Sequence, residues 1–366
     1  MITMNGFSSE EAILKQAMVA ACERVINSNY FVLSDEVREF EDKWASVCGT
    51  KHAIGLGNGL DAIEIAFRAT GVGPGDEVIT TPMTAFATFL GIIRAGAKPV
   101  LADIDPSTAL LSIESVTNRI TSRTKAILLV HLYGQVKDMR EWETFCDEND
   151  LLLFEDCAQA HLAESDGRVA GSFGIAGTYS FYPTKNLGAI GDAGALVTSD
   201  PEIAERARRL RNYGQSNRYE HIDVGMNSRL DEIQAGLLNA RLEWLDEFTA
   251  RRREIAQCYF QGISNRLVRL LAEPQDPRSH SYHFFVVNCD ERDSLSKFLS
   301  NRGVESLIHY PIPVHRQPAV ASLGLDAENL VNSDRHAATC LSIPCHPQMT
   351  DLEVKTVISA INEFEF

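Results

Sequence analysis

The chain has 366 residues, 45% of them hydrophobic and 23% charged, with a formal net charge of -16 at pH 7. The length exceeds one ordinary domain and predicts two. The acidic balance argues against nucleic acid or an anionic membrane as partner, and no apolar run has the length a bilayer span demands.

Eight scattered cysteines form no CxxC pair, a pattern expected of reduced, buried thiols in a cytoplasmic protein. Cys340 and Cys345 lack the matching second pair of a zinc site. Residues 1–15 are mixed polar and do not read as a signal peptide, so a soluble, cytoplasmic protein is expected. Basic runs at 206–211 and 251–253 fall in helical, Glu-rich segments. They read as solvated, ion-paired faces, with an arginine reaching an anionic ligand as the alternative.

Ser8-Ser9-Glu10-Glu11 opens a helix in which Ile13, Leu14, Ala17, Met18, Ala21, Cys22 and Val25 recur at helical spacing. A second helix is predicted from Ser34, with Val37, Phe40 and Trp44 on one face. Residues 52–57 form a short apolar strand that Gly57-Asn58-Gly59 ends. A helix over 61–70 follows, Gly71 stops it, and Gly73-Pro74-Gly75-Asp76 is turn chemistry. Strands over 77–81, 98–102, 126–130 and 151–154 then alternate with helices over 84–95, 112–121 and 138–149. Beyond residue 228 one long helix is predicted to run past Trp244 toward Tyr259. Strands over 281–288, a helix over 293–301 and a last helix from Thr350 complete the chain. The expected division is a large domain over 1–245, including the N-terminal helices, and a smaller C-terminal α/β domain over 246–366.

The strands at 126–130 and 151–154 are apolar on both faces. This predicts an α/β fold with a mostly parallel sheet covered by helices on both sides. Ligands of such sheets bind beyond the carboxyl ends of the strands. The residues there are Gly57-Asn58-Gly59, Thr81-Pro82, His131-Leu132-Tyr133-Gly134 and Asp156-Cys157-Ala158-Gln159.

The amides at Gly59 and Leu60, between a strand and a helix, can cradle a phosphate; a plain structural turn is the other reading. Dinucleotide binding would want glycine where Leu60 stands and an acid where the next strand closes on Thr80-Thr81. Asp156 brings a carboxylate to the ligand edge, where burial demands a partner. A pyridinium N–H is one such partner, and a helix N-cap is the alternative. Lys185 lies among aromatic and Gly-rich residues, a setting in which a lysine pKa falls and the amine serves as a Schiff-base nucleophile. No metal-ligand spacing relates His131, His161, His221 and His283, and no metal is assigned.

Asp156-x-x-Gln159 and Ser180-Phe181-Tyr182-Pro183-Thr184-Lys185-Asn186 together resemble the DegT/DnrJ/EryC1/StrS sugar aminotransferases. Gly57-Asn58-Gly59-Leu60-Asp61-Ala62, Gly71-x-Gly73-Pro74-Gly75-Asp76-Glu77-Val78, His131-Leu132-Tyr133-Gly134 and Gly225-Met226-Asn227-Ser228-Arg229-Leu230-Asp231-Glu232 extend the resemblance over nearly the whole chain. It implies a pyridoxal 5'-phosphate enzyme of fold type I, like aspartate aminotransferase, acting as a homodimer. Lys185 would hold the cofactor as a Schiff base, Asp156 would pair with its pyridine nitrogen, and Gln159 would bond its phenolic oxygen. Ser180 and the backbone at Gly59 and Leu60 would bind the phosphate, and Asn227 would reach the phosphate in the neighbouring subunit.

Two positions depart from the pattern. Leu60 stands where many relatives have threonine. Ala85 stands where many have an aromatic ring stacked on the cofactor, which leaves Phe86, one residue on, as the candidate to cover it. Residues 181–194 and Ile308-His309-Tyr310-Pro311-Ile312-Pro313 look most like members acting at C-3 of dTDP-3-keto-6-deoxyhexoses. The implied reaction is ping-pong transfer of an amino group from L-glutamate to a keto sugar nucleotide. Tyr182, Tyr213, Arg229, His309 and Tyr310 are candidates to contact that substrate, with local packing or ion pairing as the alternative. Rival readings are a C-4 aminotransferase, a sugar dehydratase, whose relatives carry histidine in place of the lysine, and a non-catalytic regulator.

Overall fold

The computed structural model describes residues 1–324 and 328–365. Helices α1 (Ala12–Ser28) and α2 (Asp35–Cys48) form the N-terminal layer. Spacing alone sets the buried face of α2, where Val37, Phe40 and Trp44 turn inward. Left-handed caps at Asn29 and Gly49 end the two helices.

Seven strands build one sheet: β1 (His52–Leu56), β2 (Glu77–Thr80), β3 (Lys98–Leu101), β4 (Thr124–Val130), β5 (Leu152–Asp156), β6 (Ala176–Ser180) and β7 (Gly194–Thr198). Their order is β1-β7-β6-β5-β4-β2-β3. Pairings from β3 through β6 are parallel, and β7 runs antiparallel to both its neighbours. Helices α3 (Gly59–Thr70), α4 (Phe86–Arg94), α5 (Ile113–Thr117), α6 (Met139–Glu148) and α7 (Pro201–Leu210) connect or cover them.

Alternate strand residues serve opposite faces, which accounts for the unbroken aliphatic runs. Ile127, Leu129 and Leu153 join Phe40, Trp44 and Trp142 in one core. Ala126, Leu128 and Phe154 join Ile63, Phe67 and Ile203 in the other. Burying each large apolar side chain contributes about 1.5–3 kcal/mol. The mostly parallel, doubly covered sheet expected from the sequence is present.

The long helix expected beyond residue 228 is two helices, α8 (Glu232–Leu242) and α9 (Leu245–Gly262). Trp244 opens the second with φ -100° and ψ -5°. No glycine or proline marks the break, so the pattern ran straight through it. From α9 onward a second core forms around a three-stranded antiparallel sheet of β8 (Val268–Leu270), β9 (Phe285–Cys289) and β10 (Cys340–Ile343). Ile255, Tyr259, Val287, Leu341, Val357 and Ile361 fill it, and Ile2 from the chain start joins them. Helices α10 (Arg292–Asn301), α11 (Val331–Thr339) and α12 (Asp351–Asn362) belong to this half, the last opened by a capping box at Thr350. Among the described residues no helix is long and apolar enough to cross a membrane.

The basic runs are only partly solvated. Arg209 pairs with Asp223 and Arg251 with Asp351. Arg211 is instead buried against Glu41 and the Gly55 carbonyl, and Arg252 donates to the Tyr282, His283 and Cys345 carbonyls. Both tie distant segments together, a role that charge patterning does not reveal.

The C-terminal half is also fastened to the sheet edge. Helix α11 has no side-chain cap of its own at Leu330. Asp103, just past β3, supplies one by accepting from the Asn332 and Ser333 amides at 2.9 Å each and from the Ser333 hydroxyl. Asp103→Ala is expected to cost about 1–3 kcal/mol, because buried amides lose their acceptor. A lower urea midpoint with an unchanged denaturant slope would report it.

Candidate active site

Strand register gathers the site. Val130 lies opposite Asp156, Asp156 opposite Thr178, and Gly194 opposite both Ser180 and Leu56. The carboxyl ends of β1, β4, β5 and β6 therefore open at one edge.

At that edge α3 begins. Asn58 caps it, its side-chain oxygen accepting from the Asp61 amide at 2.8 Å. The amides of Gly59 and Leu60 precede the first helical hydrogen bonds and head the helix dipole. Gly59 packs so closely on β6 that a Cβ there would lie 2.7 Å from the Ser180 Cβ. A Cβ at Gly194 would lie 2.4 Å from the Asn58 carbonyl. These glycines are the price of bringing a helix N-terminus against Ser180, and the cradle they form suits a small anion. Asp61, the acid in the first turn, is held by Arg94 at 3.0 Å and Asn58 at 3.1 Å.

Glu155 and Asp156 divide their work because successive strand residues face opposite ways. Glu155 is fully buried; it accepts from the Gly171, Phe173 and Gly174 amides at 2.7–2.8 Å and meets His131 Nε2 at 2.9 Å. It lies in a group with His131 and Cys157 whose ligand atoms are mutually within 4.8 Å, but those hydrogen bonds already use its oxygens to hold the 171–174 loop. Asp156 accepts from the Ala158 amide at 3.1 Å with one oxygen and from the Thr88 hydroxyl at 2.7 Å with the other. The Ala158 bond closes a turn and not a helix, since the next helix begins only at Pro201, so the N-cap alternative for Asp156 is not met.

Thr88 is itself 2.7 Å from Thr84. The sequence reading missed these two threonines. Thr84 lies just before α4 and Thr88 in its first turn, and their hydroxyls meet there. Thr88→Val keeps the shape but strips Asp156 of a donor, and turnover is expected to fall about tenfold, roughly 1.4 kcal/mol of barrier. Steady-state kinetics beside a thermal melt would separate this from unfolding.

Lys185 follows β6 in a turn closed by its own amide on the Tyr182 carbonyl at 2.8 Å. The side chain is half-buried. Burial pushes its pKa down to about 8, with the Asp156 charge acting in the opposite sense. An appreciable fraction is therefore the neutral, nucleophilic amine near neutral pH. Three histidines lie within reach of its charge. Burial and then Lys185 hold His161 at about 3, His309 at about 4, and His283 well below its usual value. All three are neutral at physiological pH.

Gln159 accepts from the Tyr133 amide at 2.6 Å and donates to the Tyr310 hydroxyl at 3.0 Å. Burial, with the nearby Asp156 charge second, raises the Tyr310 pKa. His309 stacks on Phe284 at 3.8 Å and meets the Ser342 hydroxyl at 2.8 Å. Gly59, Leu60, Asp156, Gln159, Ser180, Lys185, His309 and Tyr310 thus lie around one edge.

Other expected residues lie elsewhere. Phe86 does not cover this site: its ring packs 5.7 Å from Phe89, in a cluster with Leu101, Val314 and Val320. As the first residue of α4 it faces that apolar cluster, while Thr84 and Thr88 take the side toward Asp156. Tyr182 is exposed at the rim. Tyr213, also exposed, lies under the Arg229 guanidinium at 5.4 Å, and Arg229 donates to Asn212 at 3.2 Å. These contacts are a hydrogen bond to a neutral amide and a ring contact, not the ion pair weighed for Arg229. Asn227 is exposed, while the adjacent Ser228 hydroxyl accepts from the Gly57 amide at 3.1 Å.

The profile of the DegT/DnrJ/EryC1/StrS aminotransferase family matches residues 12–362. The chain belongs to this family. A dTDP-3-amino-3,6-dideoxy-alpha-D-galactopyranose transaminase from Aneurinibacillus thermoaerophilus is 43% identical, covering 94% of each chain. A pleiotropic regulatory protein from Geobacillus stearothermophilus is 41% identical, covering 99% of this chain and 98% of its own. The crystal structure of S. venezuelae DesV in complex with a ketimine intermediate superposes with a TM-score of 0.94 at 39% identity, covering 99% and 98%.

As a DegT/DnrJ/EryC1/StrS aminotransferase the chain is an enzyme, and the family implies pyridoxal phosphate. Its residues fit that group. The Gly59–Ser180 cradle offers amides to a phosphate, Asp156 offers a buried acceptor to a ring N–H, and Lys185 offers an amine of lowered pKa.

Proposed function

We propose that this aminotransferase moves an amino group from L-glutamate to the C-3 keto group of a dTDP-3-keto-6-deoxyhexose, in two half-reactions at one site. The observation that carries the reading is Lys185, of lowered pKa, within reach of the buried Asp156 charge at the carboxyl edge of the sheet. Pyridoxal phosphate, when bound, supplies a carbonyl for amine capture and a ring that accepts electron density. Lys185 would hold it through its amine and, once freed by the amino donor, would move a proton at the donor's α-carbon as general base and then acid. Asp156 would hold the ring nitrogen protonated, Gln159 would orient the ring through its phenolic oxygen, and Ser180 with the Gly59 and Leu60 amides would hold the phosphate.

His309 and Tyr310 meet the sugar, and Tyr182, Tyr213 and Arg229 meet it from the rim. Asn227, being exposed, is free to serve the phosphate of a second copy in a cytoplasmic homodimer. Residues 1–245 form the cofactor-binding domain and 246–366 the smaller one, to which the chain start at Ile2 is attached. The relatives named for dTDP amino sugars support the nucleotide and the C-3 position. One relative bears a regulatory name, yet Lys185 and Asp156 together support turnover in this chain.

The test is product formation. Enzyme, pyridoxal phosphate, L-glutamate and a dTDP-3-keto-6-deoxyhexose should give a 3-amino sugar nucleotide by mass spectrometry and NMR. Amination of a 4-keto substrate alone would move the reaction to C-4. A deoxygenated product would indicate the dehydratase, and no turnover of any keto sugar would favour the regulator.

A further inference from the structure

Tyr133 follows β4 at the same sheet edge and is buried. Its φ is +61°, a left-handed value that a bulky residue adopts only where its surroundings dictate it. Gly134 beside it makes that placement feasible: a Cβ there would lie 2.3 Å from the Ser281 hydroxyl and 2.7 Å from the Gln159 carbonyl.

Tyr133 closes a circuit of hydrogen bonds. Its amide donates to Gln159, Gln159 donates to the Tyr310 hydroxyl, and the Tyr133 hydroxyl donates back to the carbonyl of His309, the residue before Tyr310. That hydroxyl also meets His336 Nε2 of α11 at 2.9 Å. With its one proton given to the His309 carbonyl, the hydroxyl accepts from His336, so Nε2 carries the hydrogen. Burial holds the His336 pKa down to about 4, so it stays neutral and in this role throughout the working range.

We infer that Tyr133, backed by His336, is a positioning residue for the sugar half-reaction: it fixes Tyr310 and Gln159 as one unit. The inference rests on the proposed contact between Tyr310 and the sugar. Gln159 is held through the Tyr133 backbone, so removing the hydroxyl releases chiefly the His309–Tyr310 side. Glutamate chemistry depends on Lys185 and Asp156, so the two half-reactions should respond unequally.

The experiment follows each half-reaction of the holoenzyme by rapid absorbance, first with L-glutamate, then with a dTDP-3-keto-6-deoxyhexose. Tyr133→Phe should slow the sugar step at least about fivefold more than the glutamate step. His336→Leu should act in the same direction and His336→Gln, which keeps an N–H donor, should restore most of the loss. In a Tyr310→Phe background, Tyr133→Phe should add little further loss. Equal slowing of both steps, or a full independent loss in the Tyr310→Phe background, overturns the inference. A normal sugar step in Tyr133→Phe, with Tyr310→Phe impaired, overturns it while sparing the Tyr310 contact. A normal sugar step in Tyr310→Phe overturns both.

Discussion

Replacing Lys185 by alanine is expected to lower turnover roughly a thousandfold, the range in which removing a group that acts as nucleophile and as general acid–base falls. The fold should survive, because the side chain is half-buried and its backbone bond to Tyr182 is untouched. Alanine also removes a lysine whose charged form is disfavoured there, so the melting temperature should not fall. A variant that still transaminates at more than a tenth of the parent rate would mean that another amine does the chemistry. A variant that unfolds would make the residue structural.

The second large effect belongs to Asp156. Asp156→Asn keeps the size but removes the negative charge, and turnover should fall about a hundredfold or more, as for other preorganised charges at reacting groups. It should also shift a pH profile in a defined sense. The Asp156 charge opposes the burial that brings Lys185 down to about 8. Without that charge Lys185 should lose its proton at lower pH. Since only the neutral amine captures an aldehyde, the rate of cofactor uptake rises as pH passes through the Lys185 pKa. The midpoint of that rise should move down in Asp156→Asn. Uptake measured between pH 6 and 9.5 would show it, and a midpoint unmoved or moved up would contradict the electrostatic coupling of the two groups.

Much of this architecture is readable from local pattern. The strands at 126–130 and 151–154 declared a doubly covered sheet because each alternate residue feeds a separate core. The strand–turn–helix at Asn58 and Gly59 was legible because cap and glycine act within a few residues. What escaped depends on distance in the chain. Thr88 is 68 residues from Asp156, and His336 is 203 from Tyr133; no local period encodes such pairs. Glu155 and Asp156 look equivalent in sequence, and only the strand's alternation, together with the 171–174 loop, separates the structural acid from the one at the site. Phe86 was one candidate to cover the cofactor because it neighbours Ala85, but it opens a helix whose apolar cluster around Phe89 holds its ring. The break at Trp244 was hidden because apolar periodicity continues across it.

The proposed function depends on capture of pyridoxal phosphate by Lys185, under the charge of Asp156. Its most direct test is the visible absorption spectrum of the protein with pyridoxal phosphate, before and after L-glutamate, beside a Lys185→Ala control. A yellow band that glutamate converts to the pyridoxamine form, and that the control does not develop normally, is expected. A protein that takes up no cofactor, or a band that no amino donor changes, would contradict it.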